Sequence, residues 1–244
     1  MNTSPWFATW FDTPFYHILY KNRNDKEAHR FIDNLITHLT PKSNSHILDL
    51  ACGKGRHAIY LAEKGFETTG VDLSAQSINH ANQFAHEKLH FDTHDMRETY
   101  KENEFDYVFN LFTSFGYFSK EKHNQAAIDA MAKNLKNDGV LVIDFMNSFK
   151  VAAQLKEKEV KTVDDMTFYI TRKLDGRHFV KTIEFEHEKK HYQFQERVEG
   201  LLQKDFETYF AAAGLKIVEV FGDYDLNYFS KNTSDRLIMI VEKS

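Results

Sequence analysis

The sequence predicts an α/β protein built on a parallel β-sheet with helices on both faces. Three observations predict this class. Short apolar runs alternate with amphipathic helical patterns between residues 46 and 146. A glycine turn, Gly53-Lys54-Gly55, joins the first strand to a helix. After Asn147 the residue pattern changes to the two-residue alternation of antiparallel strands, which predicts a small β insertion within the fold.

The composition indicates one large globular domain outside the nucleic-acid-binding and membrane classes. The chain has 244 residues, 42% of them apolar, and a net charge of −5. No Lys/Arg run exceeds two residues, so we expect no nucleic-acid partner. The single cysteine, Cys52, excludes an internal disulfide and suits a reducing compartment. We see neither a signal peptide nor an apolar run of roughly 20 residues, and we expect a cytoplasmic protein.

The first 23 residues hold seven aromatic side chains, and Pro5 and Pro14 break them into short helical pieces. Such a segment cannot fold alone. We expect it to lie on the main domain, either as a hydrophobic strap or as a lid over a pocket. A clear helix follows, with apolar residues at helical spacing from Ala28 to Leu39 and Pro41 after its end.

The elements from residue 46 onward are predicted in alternating order. We expect strands at 47–50, 66–71, 89–91, 105–111 and 140–145, and helices at 56–64, 75–84 and 121–135. Ser74 is the expected N-cap of the second of these helices. A helix at 201–213, with Gly214 as C-cap, and strands at 215–221 and 237–241 close the chain.

Residues 147–200 are predicted to form an antiparallel β flap. Runs at 167–174, 177–187 and 191–200 alternate in polarity, and Asp175-Gly176 is a strong hairpin signal between the first two. The flap could be purely structural, cover the substrate or contact a second copy. We therefore assign 1–146 and 201–244 to the main domain, with an aromatic N-terminal cap at 1–40.

Four predicted strand ends carry polar or glycine-rich residues, and in open α/β sheets such ends line the ligand crevice. They are Asp49 with the glycine turn, Asp72, the stretch 94–97 and the stretch 110–116. Asp72 stands where a carboxylate accepts hydrogen bonds from both ribose hydroxyls, although it could also cap the next helix. Asp95 can accept from an adenine amine or be an ordinary solvated loop residue.

A nicotinamide dinucleotide is an alternative ligand for this crevice. Gly53-x-Gly55-x-x-Ala58 followed by Asp72 fits the relaxed dinucleotide fingerprint. Asp49 opposes this interpretation, since it would place a negative charge beside the pyrophosphate, and no second mononucleotide-binding pattern follows in the chain. A cationic ligand without phosphate suits Asp49 better.

The stretch from Ile47 to Gly55, followed by Gly70-Val71-Asp72-Leu73-Ser74, resembles the class I S-adenosylmethionine-dependent methyltransferases, most of all their soluble small-molecule branch. The resemblance covers residues 25–146 and resumes over 201–243. It implies a Rossmann-like seven-stranded sheet of order 3-2-1-4-5-7-6 with the last strand antiparallel. It also implies an enzyme that binds S-adenosylmethionine and methylates a small molecule, with S-adenosylhomocysteine as product.

The resemblance implies roles for individual residues as well. Gly53 and Gly55 would let the backbone approach the methionine part of the cofactor, with Asp49 near its ammonium group. Asp72 would hold the ribose. The rest of the implied set contacts the adenine, lines the methionine side or reaches the cofactor carboxylate; it is Ala51, Cys52, Leu73, Asp95, Met96, Asn110, Leu111, Phe112, Tyr16, Tyr20 and Arg23.

The implied reaction does not require a dedicated catalytic residue. Alignment of a nucleophile with an activated methyl group can supply roughly 7–11 kcal/mol. His17 is a candidate base, and Tyr117 and Tyr228 are candidate pocket residues; the alternative for each, which the residue types favour, is an ordinary packed or solvated side chain. No Asn/Asp-Pro-Pro-Tyr/Phe stretch follows the fourth strand, which disfavours amino methylation of DNA bases.

We expect no metal, and a monomer or homodimer. A non-catalytic protein that binds the cofactor or regulates a partner on the same fold is the alternative to an enzyme.

Overall fold

The computed structural model describes residues 6–21 and 25–244. The helices are α1 Trp6–Trp10, α2 Pro14–Leu19, α3 Asp25–Leu39, α4 Arg56–Glu63, α5 Ala75–Ala81, α6 Glu121–Asn134, α7 Ser148–Ala153 and α8 Gln203–Ala212. The strands are β1 His46–Leu50, β2 Glu67–Asp72, β3 Leu89–Thr93, β4 Phe105–Asn110, β5 Leu135–Met146, β6 Lys158–Val163, β7 Met166–Asp175, β8 His178–His187, β9 Lys190–Glu199, β10 Leu215–Phe221 and β11 Arg236–Lys243. Within these described ranges, no helix is long and apolar enough to cross a membrane.

Seven strands form the main sheet, in the order β3-β2-β1-β4-β5-β11-β10. The five strands from β3 to β5 are parallel, and β11 runs antiparallel to both β5 and β10. Numbered within this sheet alone, the order is 3-2-1-4-5-7-6 with the last strand antiparallel. The predicted fold class is therefore confirmed.

Helices cover both faces of the main sheet. Phe31 and Leu35 of α3 pack with Leu61 of α4 on one face. Ile128 of α6 and Phe206 of α8 pack on the other. Strand β1 is therefore buried along its whole length. This burial explains why the residues on both sides of Asp49 are apolar.

The second sheet, here called the cap sheet, consists of β6-β7-β8-β9 in meander order. Its inner face is covered by residues 6–21, here called the N-terminal segment. Trp10 and Leu19 are buried there against Phe168, Ile183 and Phe185. We predicted that this segment lies on the main domain. Its buried residues Trp10 and Leu19 pack on the cap sheet, because a single sheet must bury its apolar face against another layer, while Phe7 packs against the main-domain core.

A polar network fixes the N-terminal segment on the cap sheet. Glu196 of β9 accepts hydrogen bonds from Trp10 Nε1 at 2.8 Å and from the Tyr20 hydroxyl at 2.7 Å. Lys181 of β8 forms an ion pair with Glu196 at 3.4 Å and donates to the Tyr20 hydroxyl. Because all these groups are largely buried and mutually satisfied, they specify one seating of the segment on the sheet.

A buried ion pair joins the ends of β5 and β11. Arg236 Nε donates to Asp144 Oδ1 at 2.7 Å, and the Asp144 side chain is fully buried. The other oxygen of Asp144 accepts the Phe112 backbone N–H at 2.8 Å, while Arg236 donates to Thr113 Oγ1 at 2.9 Å. Phe112 and Thr113 both have left-handed backbones, with φ of 57° and 60°. The ion pair thus holds the strained loop that follows β4.

We expect Arg236→Met to lower the free energy of unfolding by about 3 kcal/mol, because it leaves the buried Asp144 carboxylate without its charge partner. The melting temperature should fall by about 6–12 °C in a scanning calorimeter. Arg197→Met is the matched control, since Arg197 pairs with Asp175 in an exposed salt bridge and should cost less than about 1 kcal/mol. Equal losses in the two variants would contradict the role assigned to Arg236.

Candidate active site

A cavity of about 670 Å³ lies at the carboxyl ends of β1 to β4 and reaches the N-terminal segment. Its main-domain side is lined by Ala51, Cys52, Gly53, Asp72, Leu73, Asp95 and Met96. Its other side is lined mostly by aromatic residues of the N-terminal segment and the β4 loop, namely Phe7, Phe11, Tyr16, His17, Tyr20, Leu111, Phe112, Tyr117 and Phe118. This volume is typical of small-molecule sites.

The turn after β1 presents bare backbone to the cavity. Ala51 has a φ of 66°, and its N–H donates to the Val71 carbonyl at 2.8 Å, which fixes the turn against β2. Gly53 has a φ of +56°, and a Cβ placed there would find no atom within 4 Å, so it faces open space. Gly55 has a φ of +85°, and a Cβ there would come within 2.7 Å of the Phe91 ring. The two glycines therefore serve ligand approach and close packing respectively.

Asp72 lies at the end of β2 and lines the cavity. Its Oδ2 accepts the Gly53 N–H and its Oδ1 accepts the Ser74 N–H, both at 2.8 Å. Burial raises the pKa of this carboxyl, and the two backbone N–H groups oppose that rise. A carboxylate offers about four acceptor positions, so two donors from a ligand can still be accommodated.

Asp95 also lines the cavity, but it already has a strong partner. Its Oδ1 accepts from Arg97 Nε at 2.9 Å and from the Arg97 backbone N–H at 3.0 Å. The hydrogen bonds from Arg97 hold the pKa of the Asp95 carboxyl below its ordinary value. The Arg97 guanidinium lies 5.2 Å above the Phe118 ring. The carboxylate is thus ionised and its orientation is fixed before any ligand arrives.

Asp49 lies behind the glycine turn and does not line the cavity. It is 1% exposed, and its Oδ2 has no hydrogen-bond partner among the described residues. Burial raises the pKa of the Asp49 carboxyl to about 7; the Ala58 backbone and the Arg56 charge oppose this rise, and the Asp72 charge adds to it. This buried carboxylate oxygen lies directly beneath the turn and can still accept a hydrogen bond.

Most of the residues singled out from the sequence meet at this cavity, and a few do not. Gly55 and Asn110 lie outside its lining; Asn110 is fully buried and donates to the Leu50 carbonyl at 2.9 Å. Arg23 lies outside the described residues. Tyr228 is 81% exposed, stacks on Phe221 and lies outside the lining of the cavity. His17 and Tyr117 both line the cavity.

Sequence reasoning did not single out three residues of this wall, Phe7, Phe11 and Phe118. Phe11 lies 4.9 Å from the Tyr16 ring and 5.5 Å from the Tyr117 ring, and Phe7 lies 6.0 Å from the Phe118 ring. The density of aromatic residues in the first 23 positions indicated such a surface. It did not indicate which rings face the cavity, because that depends on how the segment sits on the cap sheet.

Comparisons with known proteins agree with this geometry. A family model described as a methyltransferase domain matches residues 47–139. The YqeM protein of Bacillus subtilis is 35% identical over 133 residues, which are 53% of this chain and 54% of that protein, so the chain spans about half the length of this relative.

Two further comparisons extend over nearly the whole chain. A dTDP-3-amino-3,4,6-trideoxy-alpha-D-glucopyranose N,N-dimethyltransferase of Streptomyces venezuelae is 27% identical over 83% of this chain and 89% of that protein. The crystal structure of an S-adenosylmethionine-dependent methyltransferase from Clostridium acetobutylicum matches with a TM-score of 0.79 at 21% identity, over 98% of both chains. The structural match shows that the fold, cap sheet included, is shared.

The raised pKa of Asp49 predicts a pH effect on stability. A carboxyl whose pKa is higher in the folded state favours folding at low pH, and this contribution is lost as the pH rises through about 7. Between pH 5 and pH 8 the wild type should therefore lose roughly 2–3 kcal/mol relative to Asp49→Asn, which cannot titrate. Urea unfolding of both proteins at the two pH values measures the difference. Parallel losses would show that Asp49 is ionised at its ordinary pKa.

Proposed function

We propose that the chain is a class I S-adenosylmethionine-dependent methyltransferase and that its methyl acceptor is an amino nitrogen of a small molecule. Its cofactor is S-adenosylmethionine. The observation that carries the proposal is the cavity itself, which has methyltransferase motif residues on one side and an aromatic wall on the other.

The residues present fit the cofactor. The open space at Gly53 leaves room for an amino-acid tail against bare backbone, and the spare acceptor positions of Asp72 suit a pair of ribose hydroxyls. The unpartnered Asp49 oxygen supplies negative charge behind the turn, where it favours a cationic tail through the backbone without touching it. We further propose that Leu73, Asp95 and the Met96 backbone contact the adenine.

When bound, the cofactor supplies a methyl group on a sulfonium sulfur, already activated for displacement. The task left to the protein is to exclude water and to hold the acceptor in line. Phe11 and Tyr16 do this from the N-terminal segment, and Tyr117 and Phe112 do it from the β4 loop, where Asp144 holds the Phe112 backbone. We further propose that His17, one of the histidines lining the cavity, accepts the proton that an ammonium must lose.

An amine acceptor is favoured over a hydroxyl for two reasons. The wall facing the glycine turn is aromatic, and aromatic faces attract ammonium groups and their methylated products by cation–π interaction. The Streptomyces venezuelae relative that aligns over most of the chain is by name an N,N-dimethyltransferase of an amino sugar. We observe nothing that favours the non-catalytic alternative.

We expect Asp72→Ala to weaken the binding of S-adenosylhomocysteine at least tenfold, because the ribose hydroxyls lose their acceptor and the glycine turn loses a hydrogen bond. Isothermal titration calorimetry measures it directly. Asp92→Ala is the control, since Asp92 is an exposed carboxylate on the neighbouring strand whose described partner is Tyr100. Unchanged affinity in Asp72→Ala would place the ribose elsewhere.

The acceptor class is tested with matched pairs of small molecules that differ only in carrying an amine or a hydroxyl at one position. The protein is incubated with each pair and with S-adenosylmethionine bearing a deuterated methyl group, and the products are identified by mass spectrometry. We expect label on nitrogen in the amine member and none in the hydroxyl member. Label on oxygen, sulfur or carbon would overturn the nitrogen proposal while leaving the methyltransferase assignment intact.

A further inference from the structure

The N-terminal segment contacts the main domain beside Asp72. Asp12 Oδ1 accepts a hydrogen bond from the Ser74 hydroxyl at 2.6 Å and from the Gln76 backbone N–H at 3.3 Å. Ser74 also donates its own backbone N–H to Asp72 Oδ1 at 2.8 Å. A single residue, 8% exposed, therefore links the N-terminal segment to the carboxylate proposed to hold the ribose.

Asp12 is also linked to the aromatic wall of the cavity through its neighbour Phe11. Phe11 precedes it in the chain, and this ring contacts Tyr16 and Tyr117 in the cavity wall. By contrast, the polar contacts through Glu196 hold the segment to the cap sheet, which is part of the same layer. The Asp12–Ser74 contact therefore crosses from the aromatic side of the cavity to its main-domain side.

The two carboxylates that share Ser74 affect each other. Burial is the main cause of the raised pKa of Asp72, and the Asp12 charge adds to it. The Ser74 backbone N–H opposes that rise, so an Asp12 that fixes Ser74 through its hydroxyl also helps to hold the Asp72 carboxylate in place for the ribose hydroxyls. By linkage, a docked Asp12 and a filled ribose site then favour each other equally.

We propose that Asp12 is a positioning residue that docks the N-terminal segment on Ser74, so that cofactor binding and seating of the aromatic wall support each other. This inference rests on the proposed placement of the ribose at Asp72. It adds to the proposed function a coupling between the two sides of the cavity.

The test needs no acceptor, because it uses S-adenosylhomocysteine as the probe. The chain has two tryptophans, Trp6 and Trp10, and both lie in the N-terminal segment, so tryptophan emission reports on its seating. We compare the wild type with Asp12→Ala, Asp12→Asn, Ser74→Ala and the double variant Asp12→Ala/Ser74→Ala. The matched control is Asp164→Asn, which breaks the exposed Lys21–Asp164 salt bridge between the segment and the cap sheet.

We expect Asp12→Ala and Ser74→Ala each to weaken the probe at least fivefold in calorimetry and to diminish the emission change that it causes. The double variant should bind the probe no more weakly than the weaker-binding of the two single variants, because both substitutions remove the same Asp12–Ser74 hydrogen bond. Asp12→Asn keeps an acceptor oxygen and should stay within about threefold of the wild type, and Asp164→Asn within about twofold. Thermal melts of each protein confirm that it is folded at the titration temperature.

Wild-type affinity in Asp12→Ala, or additive losses in the double variant, would overturn the coupling. So would an equal loss in Asp164→Asn, since any loosening of the segment would then suffice. If Asp12→Ala does not fold, the two single variants Ser74→Ala and Asp12→Asn decide the test. The first should then lose at least fivefold in affinity, and the second should stay within about threefold of the wild type. A wild-type protein that binds no S-adenosylhomocysteine would instead contradict the proposed function and, with it, this inference.

Discussion

The apolar inner face of the cap sheet must be covered, and the N-terminal segment is what covers it. Trp10 and Leu19 pack against strands more than 140 residues further along the chain. Glu196 accepts hydrogen bonds from Trp10 and Tyr20 and so holds the same segment in place. The cap is therefore one unit made from two distant pieces of sequence. Because the same short segment turns other side chains toward the cavity, the packing that stabilises the cap also shapes the substrate side of the site.

The turns that the main domain contributes to the cavity are held in place by different means. Ala51, Phe112 and Thr113 adopt left-handed backbones at the ends of β1 and β4, and such conformations persist only where their surroundings fix them. The β2 carbonyl of Val71 fixes the first, and the buried pair of Asp144 and Arg236 fixes the other two. A site that works by alignment benefits from such rigidity, since displacement of a methyl group is sensitive to the angle of approach.

The family resemblance implied the sheet order, and local patterns predicted the α/β class and the place of the cavity, since the glycine turn and Asp72 are fixed by near neighbours in the chain. Local sequence patterns did not predict the packing between residues far apart in the chain. The packing of Trp10 on the cap sheet was not predicted, because the density of aromatic residues does not identify the surface that they pack on. Strand β6 was not predicted, because its charged residues Lys158, Glu159 and Lys161 obscure the alternation of apolar and polar side chains. Asp49 resembled a ligand residue, but the depth of β1 places it behind the cavity wall.

The most direct measurement is a crystal structure of the complex with S-adenosylhomocysteine. We expect both ribose hydroxyls within hydrogen-bond distance of Asp72 and the amino-acid tail against Gly53. The space beside Phe11, Tyr16 and Tyr117 should stay open for an acceptor. A ribose bound away from Asp72, or a cofactor that fills the aromatic side of the cavity, would contradict the division of this site into a cofactor half and an acceptor half.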